Sequence, residues 1–165
     1  MSVRPVRPDD VPTLVALVRE LADYEKALHE VALTEQQLSD CLFGDAPALF
    51  GHVAVVDDDG VAPGEVVGLA LWFLNFSTWR GTHGIYLEDL YVRPEHRGSG
   101  LGRELLRTLA ALCVERGYSR LEWSVLDWNT PSIEFYRAAG AVPMDEWTVF
   151  RLTDDALAAF ARPRG

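Results

Sequence analysis

Three observations predict an α/β fold with a mixed, mostly antiparallel central sheet flanked by helices on both faces. The runs "FGHVAVV", "EVVGLALWFLNF" and "GIYLEDLYV" follow one another with turn residues between them, the pattern of an antiparallel meander. Apolar residues recur at helical spacing on either side of that meander, at Leu14, Leu17, Val18 and Leu21 and again at Leu101, Leu105, Leu109 and Leu112. The 165 residues are enough for one substantial core and too few for two ordinary domains, so residues 1–165 are expected to form a single domain. The predicted order is βααβββαβαβ.

The elements follow from local signals. "VRPV" reads as a short first strand, and the first helix runs through "VPTLVALVRELADYEKAL" with Asp9 or Asp10 as its cap. Thr34 and Gln37 have capping-box spacing for a second short helix that stops at Gly44. The meander follows, with "DDDGVAPGE" as a turn between its first two strands. The segment "GLGRELLRTLAALCVERG" carries one apolar stripe and a stop at Gly117. "RLEWSVLDW" reads as a strand and "TPSIEFYRAAG" as a short helix with Thr130 as cap, Pro131 at its first position and Gly140 at its end. "EWTVFRL" is the expected last strand.

Charge narrows the function classes. The formal net charge is -10, and an acidic chain lacks the basic face that phosphate neutralisation requires. Nucleic acid is therefore excluded as the expected partner, and cationic substrates are favoured. One island departs from this balance: Arg93, Arg97, Arg103 and Arg107 face only Glu95 and Glu104 over the same stretch. No apolar run has the roughly 20 residues of a membrane span, and "MSVRPVRPDD" lacks the apolar stretch of a secretory signal. The expectation is a cytoplasmic protein without membrane contact. Cys41 and Cys113 both sit beside apolar residues, which reads as two buried thiols rather than a disulfide, a metal site or a redox centre.

The arginine island coincides with "YVRPEHRGSGLGRELL", where Gly98, Gly100 and Gly102 alternate between a strand and a helix. Glycines let backbone approach a ligand closely, and a helix N-terminus offers unpaired amides to an anion. A Walker loop is excluded because its Gly-Lys-Ser/Thr ending is missing. The dinucleotide motif fails because Arg103 stands where its third glycine belongs. A glycine-rich turn that merely starts a helix is one reading that stays open; an R-x-x-G-x-G loop, met by Arg97, Gly100 and Gly102, is the other. On those residues, between strand and helix, the chain resembles the GNAT superfamily of acyl-CoA-dependent N-acetyltransferases. The resemblance implies the GNAT fold, acetyl-CoA as co-substrate, and a loop of Arg97, Gly98, Ser99, Gly100, Leu101, Gly102 and Arg103 whose amides hold the coenzyme A pyrophosphate.

Glu88 and Asp89 interrupt an otherwise apolar and aromatic run. Neighbouring strand residues face opposite ways, so one of the two should point to the covered face of the sheet unless a bulge re-aims it. A protonated amine cannot attack a thioester, so acetyl transfer needs a carboxylate, acting directly or through water, to take its proton. Glu88 is the expected base and Asp89 the alternative, possible as a structural partner; both solvated and idle at an opened edge is the competing reading. By resemblance Tyr136 protonates the leaving thiolate, against ordinary packing beside Ile133. By the same resemblance Asn129 and Ser132 contact the cofactor or position its segment, against a plain turn, and the backbone of Leu90, Tyr91 and Val92 pairs with pantetheine as an added strand.

Nearly the whole chain is similar to the diamine acetyltransferase group, which includes the spermidine/spermine and thialysine N-acetyltransferases. The matching words are "RELADYEKA", "FSTWRG", "YLEDLYV", "RGSGLG", "VLDWN" and "PSIEFY". The resemblance puts Tyr24 and Glu25 in the amine site with Glu88 and Asp89, and Asp23 and Glu30 also suit a cationic chain; a solvated helix end is the equal alternative. "FSTWRG", with Ser77, and "VLDWN" look more like the thialysine branch, and "AVPMDEW" before Trp147 is shorter than in the polyamine enzymes. The implied activity is direct acetyl transfer, through a tetrahedral intermediate and without metal, to a primary amine of a small cationic acceptor: a polyamine, thialysine or another lysine-like amine. The implied assembly is a homodimer. The rival expectations are a non-catalytic acyl-CoA-binding regulatory module and an acetyltransferase acting on a protein amine.

Overall fold

A computed structural model of the chain describes residues 1–56 and 64–163. The turn expected at "DDDGVAPGE" falls almost entirely outside the described residues. The backbone forms two compact units, Met1–Ser124 and Val125–Gly165.

The first unit is a five-stranded sheet in the order β1-β2-β3-β4-β5, with β1 Ser2–Pro5, β2 Phe50–Val56, β3 Glu65–Ser77, β4 Thr82–Val92 and β5 Leu121–Glu122. The first four strands pair antiparallel and β5 lies parallel to β4. Helices α1 (Val11–Tyr24) and α2 (Glu35–Phe43) cover one face. Leu14, Leu17, Leu38 and Leu42 meet Val53, Val55, Leu69, Leu71 and Tyr91 there. Leucines of this kind contribute about 1.5–3 kcal/mol each on burial. Helix α3 (Leu101–Glu115) buries Leu101, Leu105, Leu106, Leu109 and Cys113 and packs against β1 through β4. Gly102 of α3 approaches Val92, which alternates along β4 with Tyr91 of the first face, so α3 lies on the opposite side.

The caps follow the sequence closely in this unit. Thr34 and Gln37 form the capping box, Gly44 ends α2, and Gly117 takes the left-handed backbone just past α3, at φ 67°. Helix α1 starts on Asp10, whose carboxylate is held by a two-pronged bond from Arg4 at 2.7 and 2.8 Å. It stops at Tyr24, short of "EKAL", because Lys26 turns into the left-handed region at φ 63°.

The expected strand "RLEWSVLDW" shrinks to Leu121–Glu122, since only those two residues find a partner, Ile85 and Tyr86 of β4. Cys113 is buried as expected, but Cys41 is exposed.

The second unit holds α4 (Thr130–Ala138) and α5 (Asp154–Phe160). Asn129 rather than Thr130 is the cap of α4: its side-chain oxygen accepts from the Ser132 amide at 3.4 Å. Gly140 closes that helix at φ 90°. The last strand expected at "EWTVFRL" does not form among the described residues. Those positions have no regular structure, and a seven-residue helix follows instead.

Candidate active site

The β3–β4 ladder carries the first feature of the site. Leu71 pairs with Asp89 and the next β3 residue, Trp72, pairs with Leu87. Glu88 is therefore an extra residue on β4, a β-bulge. Paired residues share a face, so Asp89 points with Leu71 to the side covered by α1 and α2, while Leu87 points to the α3 side. Glu88 is exposed and Asp89 half-buried.

That burial, with the neighbouring charges of Glu88 and Glu25, pushes the Asp89 carboxyl up to about 6. Burial also raises Glu25, which follows directly on the end of α1. The structure thus brings Glu25 and Glu88 each within electrostatic reach of Asp89. The bulge, rather than simple alternation, divides the paired carboxylates of the sequence, with Asp89 as the inward member and Glu88 exposed.

The second feature is the free edge of β4. Its partner β5 stops at the level of Tyr86, so from Leu87 onward β4 pairs only with β3 among the described residues. The Arg93 amide donates to Val67 on β3 at 2.9 Å. By alternation Leu90 and Val92 present their backbone groups to the opened edge, where an extended ligand can add as a strand, while Tyr91 faces β3. The Val92 carbonyl accepts the Arg97 Nε–H at 2.9 Å.

The third feature is the loop. A short 3-10 turn at Pro94–His96 leads to Gly98 and Gly100, at φ 79° and 90°. A side chain at either would meet nothing within 4 Å, so glycine is needed for the backbone angle and the loop is open to solvent. Gly100 caps α3 without any side-chain bond, and the first helical bond runs from the Glu104 amide to the Gly100 carbonyl. The amides of Leu101, Gly102 and Arg103 precede it and have no helical acceptor. Ser99 turns its hydroxyl onto the His96 carbonyl at 2.6 Å and stabilises the turn.

The arginine island is less free than its sequence implies. Arg93 is tied to Glu20 and Glu65 at 3.0 and 2.9 Å, and Arg107 pairs with Glu104. Those partners lie on α1, on β3 and one helical turn away, and only the Glu104 pairing had a signal in local spacing. Arg103 is exposed at the start of α3. Open amides at a helix N-terminus, Arg103 beside them and an unpaired strand edge upstream fit a phosphate-bearing, extended ligand such as coenzyme A.

In the second unit, Asn129 is 4% exposed and spends its side-chain oxygen on the α4 cap. Ser132 supplies the amide of that cap. Tyr136 is half-buried on α4 with its ring centroid 5.3 Å from that of Phe135. No group of three or more His, Cys, Asp or Glu among the described residues is placed to hold a metal ion.

The model of the Acetyltransferase (GNAT) family matches residues 14–141. The chain belongs to that family. This GNAT acetyltransferase is 38% identical to the thialysine N-epsilon-acetyltransferase of Bos taurus over 169 residues, covering 98% of this chain and 97% of that protein. It is 35% identical to the enzyme of the same name from Mus musculus, with 96% of each chain covered. Among solved structures it is similar to an integron cassette protein from the mobile metagenome of V. cholerae, with a TM-score of 0.78, 25% identity and 98% of both chains covered. The GNAT fold and the acetyltransferase class expected from the loop are thereby established. No helix among the described residues is long and apolar enough to cross a membrane.

Proposed function

We propose that this acetyltransferase moves the acetyl group of acetyl-CoA directly to a primary amine of a small cationic acceptor, of the thialysine or lysine-like class. The observation that carries the acceptor class is the carboxylate group at the β4 bulge: the half-buried Asp89 lies within electrostatic reach of both Glu88 and Glu25, and a cationic chain is the ligand that relieves the repulsion it feels from them. The thialysine enzymes similar over nearly the full length support the same class.

Acetyl-CoA supplies an activated thioester. The residues of this chain bind and orient it: the amides of Leu101 to Arg103 and the Arg103 side chain receive the pyrophosphate, and the Leu90 and Val92 edge of β4 receives the pantetheine. Asp89 and Glu25 hold the ammonium. Glu88, re-aimed by the bulge, takes the proton from the attacking amine directly or through water. Tyr136 returns a proton to the departing thiolate. Asn129 and Ser132 set the start of α4, on which Tyr136 sits.

The protein functions as a homodimer in this reading. Trp147, Val149 and Phe150 are 66%, 85% and 92% exposed, and apolar side chains so close together fit burial against a second copy.

A thiol-release assay with acetyl-CoA and thialysine, lysine, spermidine and a lysine peptide in competition tests the proposal. The expected outcome is amine-dependent release fastest with thialysine or lysine. Binding of acetyl-CoA with no amine-dependent release would favour a regulatory module, and preference for the peptide would favour a protein substrate.

A further inference from the structure

Arg97 opens the R-x-x-G-x-G loop, yet its side chain is engaged away from the glycines. Its guanidinium carbon lies 5.1 Å from the Tyr24 ring centroid and 5.5 Å from that of Tyr91, while Nε donates to the Val92 carbonyl at 2.9 Å. The two rings belong to different parts of the fold. Tyr91 is 6% exposed and belongs to the core beneath α1 and α2. Tyr24 is the last residue of α1, directly before Glu25, and beyond it Lys26 reverses the chain at φ 63°. No carboxylate pairs with Arg97 among the described residues, so the rings and the carbonyl are the contacts that fix its position.

From this we infer that Arg97 is a positioning residue that couples the donor loop to the acceptor carboxylates: one cation bridges the end of α1, which carries Glu25, to β4, which carries Glu88 and Asp89, at the first residue of the loop. The inference rests on the acceptor and donor assignments proposed above. Its physical content is an energetic linkage. Seating an anion on the loop restrains Arg97, Arg97 restrains Tyr24, and Tyr24 restrains the Glu25 backbone. By reciprocity, loosening Tyr24 must weaken donor binding even though Tyr24 lies outside the loop. A cation over an exposed ring such as that of Tyr24 contributes little on its own, so the expected coupling through it is about two- to fivefold. A tyrosine at this place works through its ring face, which phenylalanine retains and leucine lacks.

The test is a double-mutant cycle read on coenzyme A affinity by titration calorimetry, which requires no knowledge of the acceptor. Tyr24→Leu should weaken coenzyme A about two- to fivefold, Tyr24→Phe should keep wild-type affinity, and Tyr24→Leu should have no further effect in an Arg97→Gln background. With an amine that the wild type acetylates, Tyr24→Leu should raise the KM for both substrates and leave kcat unchanged. Unaltered coenzyme A affinity in Tyr24→Leu, or the same loss with and without Arg97, would overturn the coupling. A wild-type protein that binds coenzyme A but acetylates no amine would defeat the proposed function while leaving the calorimetric cycle intact.

Discussion

At the scale of single residues, the division of labour between Glu88 and Asp89 can be separated by pH. An Asp89 carboxyl pushed up to about 6 by burial and by its acidic neighbours carries its full charge only above that value. Amine binding should therefore weaken as pH falls through about 6, a limb seen in KM. Asp89→Asn should raise KM and abolish the limb, whereas Glu88→Gln should lower kcat and recover at high pH, where free amine is available; Tyr136→Phe should lower kcat at saturating acetyl-CoA. An acid limb in kcat that disappears in Asp89→Asn would transfer the base role to Asp89. Stability should move the other way. Because the folded value lies above the unfolded 3.8, the native state binds the proton more tightly, and stability is lost as pH rises from about 4 to about 6. Asp89→Asn should thus be more stable at neutral pH, by up to about 3 kcal/mol, in chemical denaturation. The sequence disclosed that one carboxylate of the pair would turn inward. Which one depends on the β3 partner skipping from Leu87 to Asp89, and that register is a property of two strands.

At the scale of elements, the start of α3 combines two glycines with different duties. Gly100 holds a left-handed backbone, with open space where a side chain would project. Alanine there pays only in backbone strain, about 1–2 kcal/mol, equivalent to a fall in Tm of about 2–8 °C for a chain of this size. Gly102 lies within the helix with its would-be side chain at ordinary contact distance, 3.9 Å, from Val92, so Gly102→Ala should leave Tm unchanged or higher. Thermal melts of the two variants check both statements. The same contrast of local and non-local causes explains which elements were legible. The Thr34–Gln37 capping box, the Gly44 and Gly117 stops and the three meander strands are encoded within a few residues of where they act. "RLEWSVLDW" and "EWTVFRL" have the composition of strands, but a strand also needs a partner edge. Only Leu121 and Glu122 obtain one. Helix α5 was missed because its seven residues, with only Leu157 and Phe160 at helical spacing, are too short a window for a periodicity signal. In the site, the glycine loop was legible from its spacing. The Arg97 contact with Tyr24 joins residues far apart in the chain, and the one with Tyr91 depends on how the intervening turn folds back, so neither had such a signal.

At the scale of the whole molecule, a chain of net charge -10 repels its own copies at long range, so a dimer must rest on apolar contact at short range. Phe150→Asp should accordingly convert a dimer into a monomer in sedimentation equilibrium, and raised salt should strengthen the wild-type dimer; a wild-type monomer at micromolar concentration would remove the assembly from the proposal. The bulge at Glu88 also bears on the whole fold. Ile85 and Leu87 lie toward α3 while Asp89 and Tyr91 lie toward α1 and α2, although all four numbers are odd. Residue 88 therefore acts as a phase shift in the chain, and its presence matters to folding more than its identity. Substitutions at this position should be absorbed, but deleting it would put the two halves of β4 out of step and drive one set of core side chains to the wrong face. The length of this strand, counted in single residues, is consequently the least negotiable dimension of the protein: Glu88→Ala should fold with near-native stability, and the one-residue deletion should not yield a cooperative unfolding transition.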